Sequence, residues 1–273
     1  MAKEQFFHPE SAELLKILDE AARRSGVSRG QAWEDFLHMT VCSLSGGRME
    51  EQYMAVVKKH SQGTLGRRGC DSLAELFAKS IVAMETEETR GEMKDILGDL
   101  YQGAITYGEA GQFFSAQPIA RMMAAVTVGD VPEEEKHEKR SISDPACGSG
   151  RMLLAVAEMH PHWLFVGQDV DLRCVRMCAI NLALRNLYGY VIHGNSLTNE
   201  RRLVYRTGFD LTGVIFEVQL GDLPELVKQI AANPTLPLTK GSLDSVPIKR
   251  PHTTPTDDHC ELSPRHANQL QLF

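Results

Sequence analysis

Between an apolar run ending at Asp144 and another starting at Met152 lies the string Asp144-Pro145-Ala146-Cys147-Gly148-Ser149-Gly150. No other feature constrains the fold as much. Small side chains let the backbone approach another group closely, and glycine permits turns closed to other residues. The helix behind such a loop presents unpaired N–H groups at its N-terminus. About twenty residues further on, Leu164 to Gly167 reads as a second strand, which runs into Gln168 and Asp169. Doubly wound α/β sheets hold nucleosides with such a pair, the loop against the ligand and the acid against ribose hydroxyls. Asp144, at the end of its own strand, can accept a hydrogen bond from an ammonium or amide donor. A nucleoside-containing ligand is the physical expectation. The alternative is a tight strand-to-helix turn that binds nothing.

Around this loop the chain alternates strand and helix. Ile142 to Pro145, Leu164 to Gly167, Tyr190 to His193 and Val214 to Leu220 read as strands. Met152 to Met159, Leu172 to Leu187 and Leu223 to Ala231 read as helices. Such alternation predicts right-handed crossovers and a parallel sheet. The first hundred residues are helical instead. Leu14, Leu15, Ile17, Leu18, Ala21 and Ala22 recur at helical spacing before Gly26. Ser28 can cap a second helix carrying Trp33, Phe36, Leu37 and Val41. Further helices are expected over Met54–His60, from Asp71 or Ser72 through Val82, over Arg90–Ile105 and over Pro118–Val126. Asp130 to Arg140 is charged and without apolar period, so it reads as a solvated loop. Pro234 to Asn268 is dominated by Pro, Thr, Ser, Asp and His, too polar to offset its ordering entropy, and reads as a flexible tail.

Of the 273 residues, 42% are hydrophobic and 24% charged, enough for a packed core. The uncharged apolar stretches fall well short of a membrane span. Met1 to Glu10 carries charges and no apolar signal core, which points to a cytoplasmic chain. Six cysteines without a Cys-x-x-Cys pair suit reduced thiols, and ten histidines show no ligand spacing, so no metal is expected. The net charge of −7 argues against nucleic-acid binding by bulk electrostatics alone. Two local basic groups remain, Lys58, Lys59, Arg67 and Arg68, and Arg201, Arg202 and Arg206. Solvated surface charge is the simpler reading of each.

The string DPACGSG resembles motif I of the adenine-N6 DNA methyltransferases, especially the modification subunits of type I restriction systems. Gly111-Gln112-Phe113-Phe114-Ser115-Ala116-Gln117-Pro118 resembles that family's motif X, and Leu100-Tyr101 its helical lead-in. Gly167-Gln168-Asp169-Val170-Asp171 resembles motif II, with Asn181 and Leu182 in the helix that follows. Gly194-Asn195-Ser196-Leu197 resembles motif III, with Asn195 where the family usually has Asp. The likeness covers roughly Ile96 to Leu197 in the family's order. It implies an α/β fold, a Rossmann-like SAM-dependent methyltransferase sheet, truncated, behind an N-terminal helical bundle. The implied divisions are 1–108, helical; 109–232, SAM-binding; and 233–273, a tail. The implied cofactor is S-adenosyl-L-methionine (SAM). Phe113, Phe114, Ser115, Asp144, Ala146, Cys147, Gly148, Gly150, Asp169 and Asn195 would hold it. Core packing is the alternative for Phe114.

Two departures bear on activity. The family's catalytic motif IV, an Asn/Asp-Pro-Pro-aromatic string after the fourth strand, is missing, so no catalytic residue is assigned. Where it should fall, the chain reads Leu211-Thr212-Gly213-Val214-Ile215-Phe216. The strands that follow motif IV in the family also have no counterpart before the tail. The implied function is an adenine-N6 DNA methyltransferase acting on DNA with a specificity partner for target recognition or catalysis. Methylation of RNA or protein is a weaker third reading. The alternative is a non-catalytic SAM-binding module. Its motivation includes Gln269-Leu270-Gln271-Leu272-Phe273, which resembles the bacterial sliding-clamp binding peptide. In that mode Leu272 and Phe273 fill an apolar pocket, Leu270 a smaller one, and Gln269 bonds at the edge.

Overall fold

The computed structural model describes residues 6–85, 92–106, 115–129, 131, 140–210 and 213–232. Four helices open the chain: α1 (Glu10–Ser25), α2 (Arg29–Ser43), α3 (Glu50–Lys59) and α4 (Gly69–Met84). Helix α1 buries Leu14, Leu15, Leu18, Ala21 and Ala22 along α4. It stops at Gly26, whose φ of 65° lets its N–H reach back to Ala22 and Arg23. Ser28 caps α2 by accepting from the Gln31 N–H at 3.2 Å. Helix α4 starts earlier than expected, at Gly69. Asp71 lies inside the first turn and accepts from the Arg68 N–H at 2.8 Å.

The helix expected over 90–105 is shorter. Residues 92–95 are irregular, and Asp95 caps α5 (Ile96–Leu100), which widens into a π-helical turn over Tyr101–Thr106. Helix α6 (Gln117–Val128) carries proline in its first turn, as expected. It buries Ala120 and Ala124 and packs against α7 (Arg151–Ala157). The expected loop over 130–140 and the tail lie almost wholly outside the described residues.

The sheet has five strands in the order β1 (Ser141–Asp144), β2 (Leu164–Asp169), β3 (Gly189–His193), β4 (Leu203–Asp210), β5 (Gly213–Glu217). The first three run parallel, linked through α7 and α8 (Leu172–Leu184), which is the Rossmann-like part. The last two run antiparallel, contrary to the parallel fourth strand expected from Val214 onward. Connection length explains this. A parallel crossover needs about a dozen residues or more. The stretch from His193 to Leu203 is shorter, and only two residues separate β4 from β5. Among the described residues β1 pairs with β2 alone, so its outer edge is bare.

Alternation sorts the strand residues between two faces. Phe165, Val191, Tyr205 and Ile215 join one large core with α7, α8 and the N-terminal helices. Leu164, Val166, Tyr190, Ile192 and Val204 pack under α9 (Glu225–Ala232) on the other side. The N-terminal helices are bonded to the sheet as well as packed on it. The Val214 and Ile215 N–H groups both donate to the Leu44 carbonyl at the end of α2, at 3.0 and 3.1 Å. Among the described residues no helix is long and apolar enough to cross a membrane.

Phe165 is fully buried near the start of β2, so Phe165→Ala is expected to cost about 3–5 kcal/mol. Leu197, 95% exposed, is expected to tolerate alanine within about 0.5 kcal/mol. Urea denaturation midpoints check both.

Candidate cofactor site

The loops after β1, β2 and β3 meet at one end of the sheet. The Cys147 N–H donates to the Gln168 carbonyl at 2.9 Å, fixing the glycine loop to β2. The Gly194 N–H donates to the Asp169 carbonyl, also at 2.9 Å, fixing the third loop to the same strand. Two glycines of the loop have left-handed φ, 53° at Gly148 and 87° at Gly150. A Cβ on Gly150 would stand 2.8 Å from the Cys178 Sγ, so glycine is required there by both conformation and space.

The two expected acids sit beside these loops. Asp169 Oδ2 accepts from the Gly148 N–H and Oδ1 from the Asp171 N–H, each at 2.9 Å. Its carboxylate therefore grips the glycine loop directly. Asp144 Oδ1 accepts from the Ala146 N–H at 3.1 Å. Burial pushes the pKa of Asp169 above the usual aspartate range. Burial does the same for Asp144, with the nearby charge of Asp169 adding to it. Both shifts mean that their surroundings disfavour the ionised forms.

The other expected residues fall as follows. Ala146 is exposed on the loop, and Cys147 is buried beneath it. A hydrogen bond with Cys178 and burial push the Cys147 thiol well up, which disfavours its thiolate. Ser115 is exposed, and its carbonyl accepts from Arg151 Nη1 at 2.7 Å. Asn195 stands in the adjoining third loop, but its Oδ1 accepts from the Leu197 N–H at 2.9 Å, so the amide oxygen closes its own turn. Phe113, Phe114, Gln269, Leu270, Leu272 and Phe273 lie outside the described residues.

Phe216 does not offer a face for stacking. Arg206 lies 4.2 Å from the centre of its ring and Arg48 4.8 Å. The ring is 8% exposed on the hairpin, across the sheet from β1. The basic groups are largely engaged too. Lys59 pairs with Asp35, Arg68 with Asp71 and Arg202 with Glu200. Arg201 bonds Asn199 and the Lys228 carbonyl.

Three residues that sequence reasoning did not assign to the site hold the loop from behind. Asp95 accepts from Ser149 Oγ and Arg151 Nε on one oxygen, and from the Gly98 N–H and Asn181 Nδ2 on the other. Arg151 and Asn181 are the second and third. In the sequence, Asp95 carries only the signal of a helix cap.

No curated protein matches the chain. Among solved structures, the chain is similar to the methyltransferase subunit of a type I restriction-modification system from Streptococcus thermophilus. The identity is 15%, the match covers 65% of this chain and 56% of that one, and the TM-score is 0.31. It is also similar to a putative class I S-adenosylmethionine-dependent methyltransferase from Listeria monocytogenes. There the identity is 16%, the coverage 67% and 53%, and the TM-score 0.33. The chain spans a little over half the length of each. The family model of the N-6 DNA methylases matches residues 92–234, just over half of the chain and the whole of the site just described. The chain belongs to the N-6 DNA methylase family.

Proposed function

We propose that this chain binds S-adenosyl-L-methionine at the end of the sheet where the loops after β1, β2 and β3 meet, against the glycine loop and Asp169. In that role it is the cofactor-holding part of an adenine-N6 DNA methyltransferase, with a partner supplying target recognition or catalytic groups. The observation that carries the reading is the Asp169 carboxylate on the Gly148 N–H, near a second half-buried acid, Asp144. The residues fit the group. Left-handed Gly148 and Gly150 let the backbone lie close to a ligand, and two acids with raised pKa suit a cationic one. When bound, the cofactor supplies an electrophilic methyl group. Asp169 would accept from ribose hydroxyls with lone pairs the backbone does not use, and Asp144 would face the amino acid end. Ser115, Ala146 and Cys147 would line the approach, and Asn195 would border the base.

A second reading is a non-catalytic SAM-binding module held at the replication sliding clamp by Gln269, Leu270, Leu272 and Phe273. What favours it is the missing Asn/Asp-Pro-Pro-aromatic string, together with a Phe216 ring enclosed by two arginines. Incubation with DNA and methyl-labelled SAM separates the two. Transfer of label supports the enzyme. Binding without transfer, plus clamp capture that disappears when the last five residues are removed, supports the module.

Titration calorimetry is expected to show saturable SAM binding. At about a hundredfold excess over Kd, thermal stability is expected to rise by roughly 5–10 °C. Neither heat nor a thermal shift would remove the basis of both readings. The acids give a pH test. A carboxyl whose folded pKa is raised makes the folded state bind more protons than the unfolded one. Stability is therefore lost as pH rises from the ordinary aspartate range through the folded pKa. Asp144→Asn is accordingly expected to raise the melting temperature at neutral pH. The gain should vanish below about pH 3, where both states are protonated. The same variant should bind SAM more weakly.

A further inference from the structure

We propose that Asp95 is a positioning residue that sets the shape of the glycine loop and the placement of the Ser115 backbone, and so the affinity for the cofactor. This rests on the SAM reading above. Asp95 is fully buried, at the start of α5, outside the strand–loop–helix unit. Its Oδ2 accepts from Ser149 Oγ at 2.5 Å and from Arg151 Nε at 2.9 Å. Its Oδ1 accepts from Asn181 Nδ2 and from the Gly98 N–H, both at 2.9 Å. Asn181 Nδ2 lies at the same distance from the Ser149 carbonyl. Ser149, between the two left-handed glycines, is thereby held by its side chain and its backbone. Arg151 carries the constraint onward, since its Nη1 donates to the Ser115 carbonyl at 2.7 Å. One carboxylate thus holds the glycine loop directly and the Ser115 carbonyl through Arg151, without itself lying on the face proposed for the ligand.

An internal control exists one turn away. Asp99 is 1% exposed on the same helix, but it accepts from the Phe7 N–H, the His8 N–H and Ser11 Oγ. It holds the start of α1 and nothing in the loop. Asparagine replaces either acid at nearly the same volume. In Asp95→Asn the new amide must face donors whichever way it turns, either Arg151 Nε or both Gly98 N–H and Asn181 Nδ2. Asp99→Asn meets the same kind of conflict, away from the site.

The test measures SAM affinity by calorimetry on the full chain, with amide hydrogen exchange at residues 147–150 read in parallel. Asp95→Asn is expected to weaken SAM binding roughly tenfold to a hundredfold and to speed exchange across the loop. Asp99→Asn should lower the melting temperature too, but leave SAM affinity within about twofold and loop exchange unchanged. Equal weakening by both variants, or unchanged affinity in Asp95→Asn, overturns the proposal. If the unaltered chain binds no SAM, the cofactor reading fails on its own. The exchange comparison still decides the positioning role, because faster loop exchange in Asp95→Asn alone supports it and equal exchange overturns it. Should Asp95→Asn not fold, Ser149→Ala removes a single donor and is read in the same two ways.

Discussion

A carboxylate removed from water is tolerated only when donors replace its hydration shell. Asp95 has that replacement in full, with a guanidinium, a hydroxyl, a carboxamide and a backbone N–H around it. The donors come from α5, the glycine loop, α7 and α8, so one side chain fixes four pieces of structure against each other. Truncating it would take away the carboxylate to which the buried Arg151 Nε donates, which is far more disruptive than losing a surface ion pair. Asp99 makes the corresponding attachment to the start of α1. Helix α5, only five residues long, is a fastener between the N-terminal helices and the glycine loop.

The parts of the fold legible in the sequence are those written in local chain. The strand–loop–helix unit needs only Gly148, Gly150 and the apolar runs on either side, and α1 shows its buried stripe and its terminal glycine. Asp169 was legible because its distance from the loop is set by one crossover. Asp95 was not, because its partners lie 54, 56 and 86 residues away, and a lone Asp before a helix reads only as a cap. Strand β4 escaped for another reason. Val204 and Tyr205 are buried on opposite faces, so the segment has no polar–apolar alternation, and its arginines read as surface. Asn195 was legible as a position but not as a geometry, since its oxygen bonds to its own turn.

The direction of the last two strands was the largest departure. Residue preferences say little about whether a strand runs parallel or antiparallel, whereas the length of the connection does. Reading the short links on either side of β4 as hairpins would have placed Phe216 away from the glycine loop. It would also have explained why the sequence there carries aromatic and arginine residues that stack on one another.

That hairpin gives the sheet two unlike borders. On one, β5 lends its backbone to Leu44 at the end of α2 and is spoken for. On the other, β1 carries the glycine loop at its tip and has an unshared row of peptide groups, among the described residues. Among the described residues, a further strand could pair along β1, next to the glycine loop.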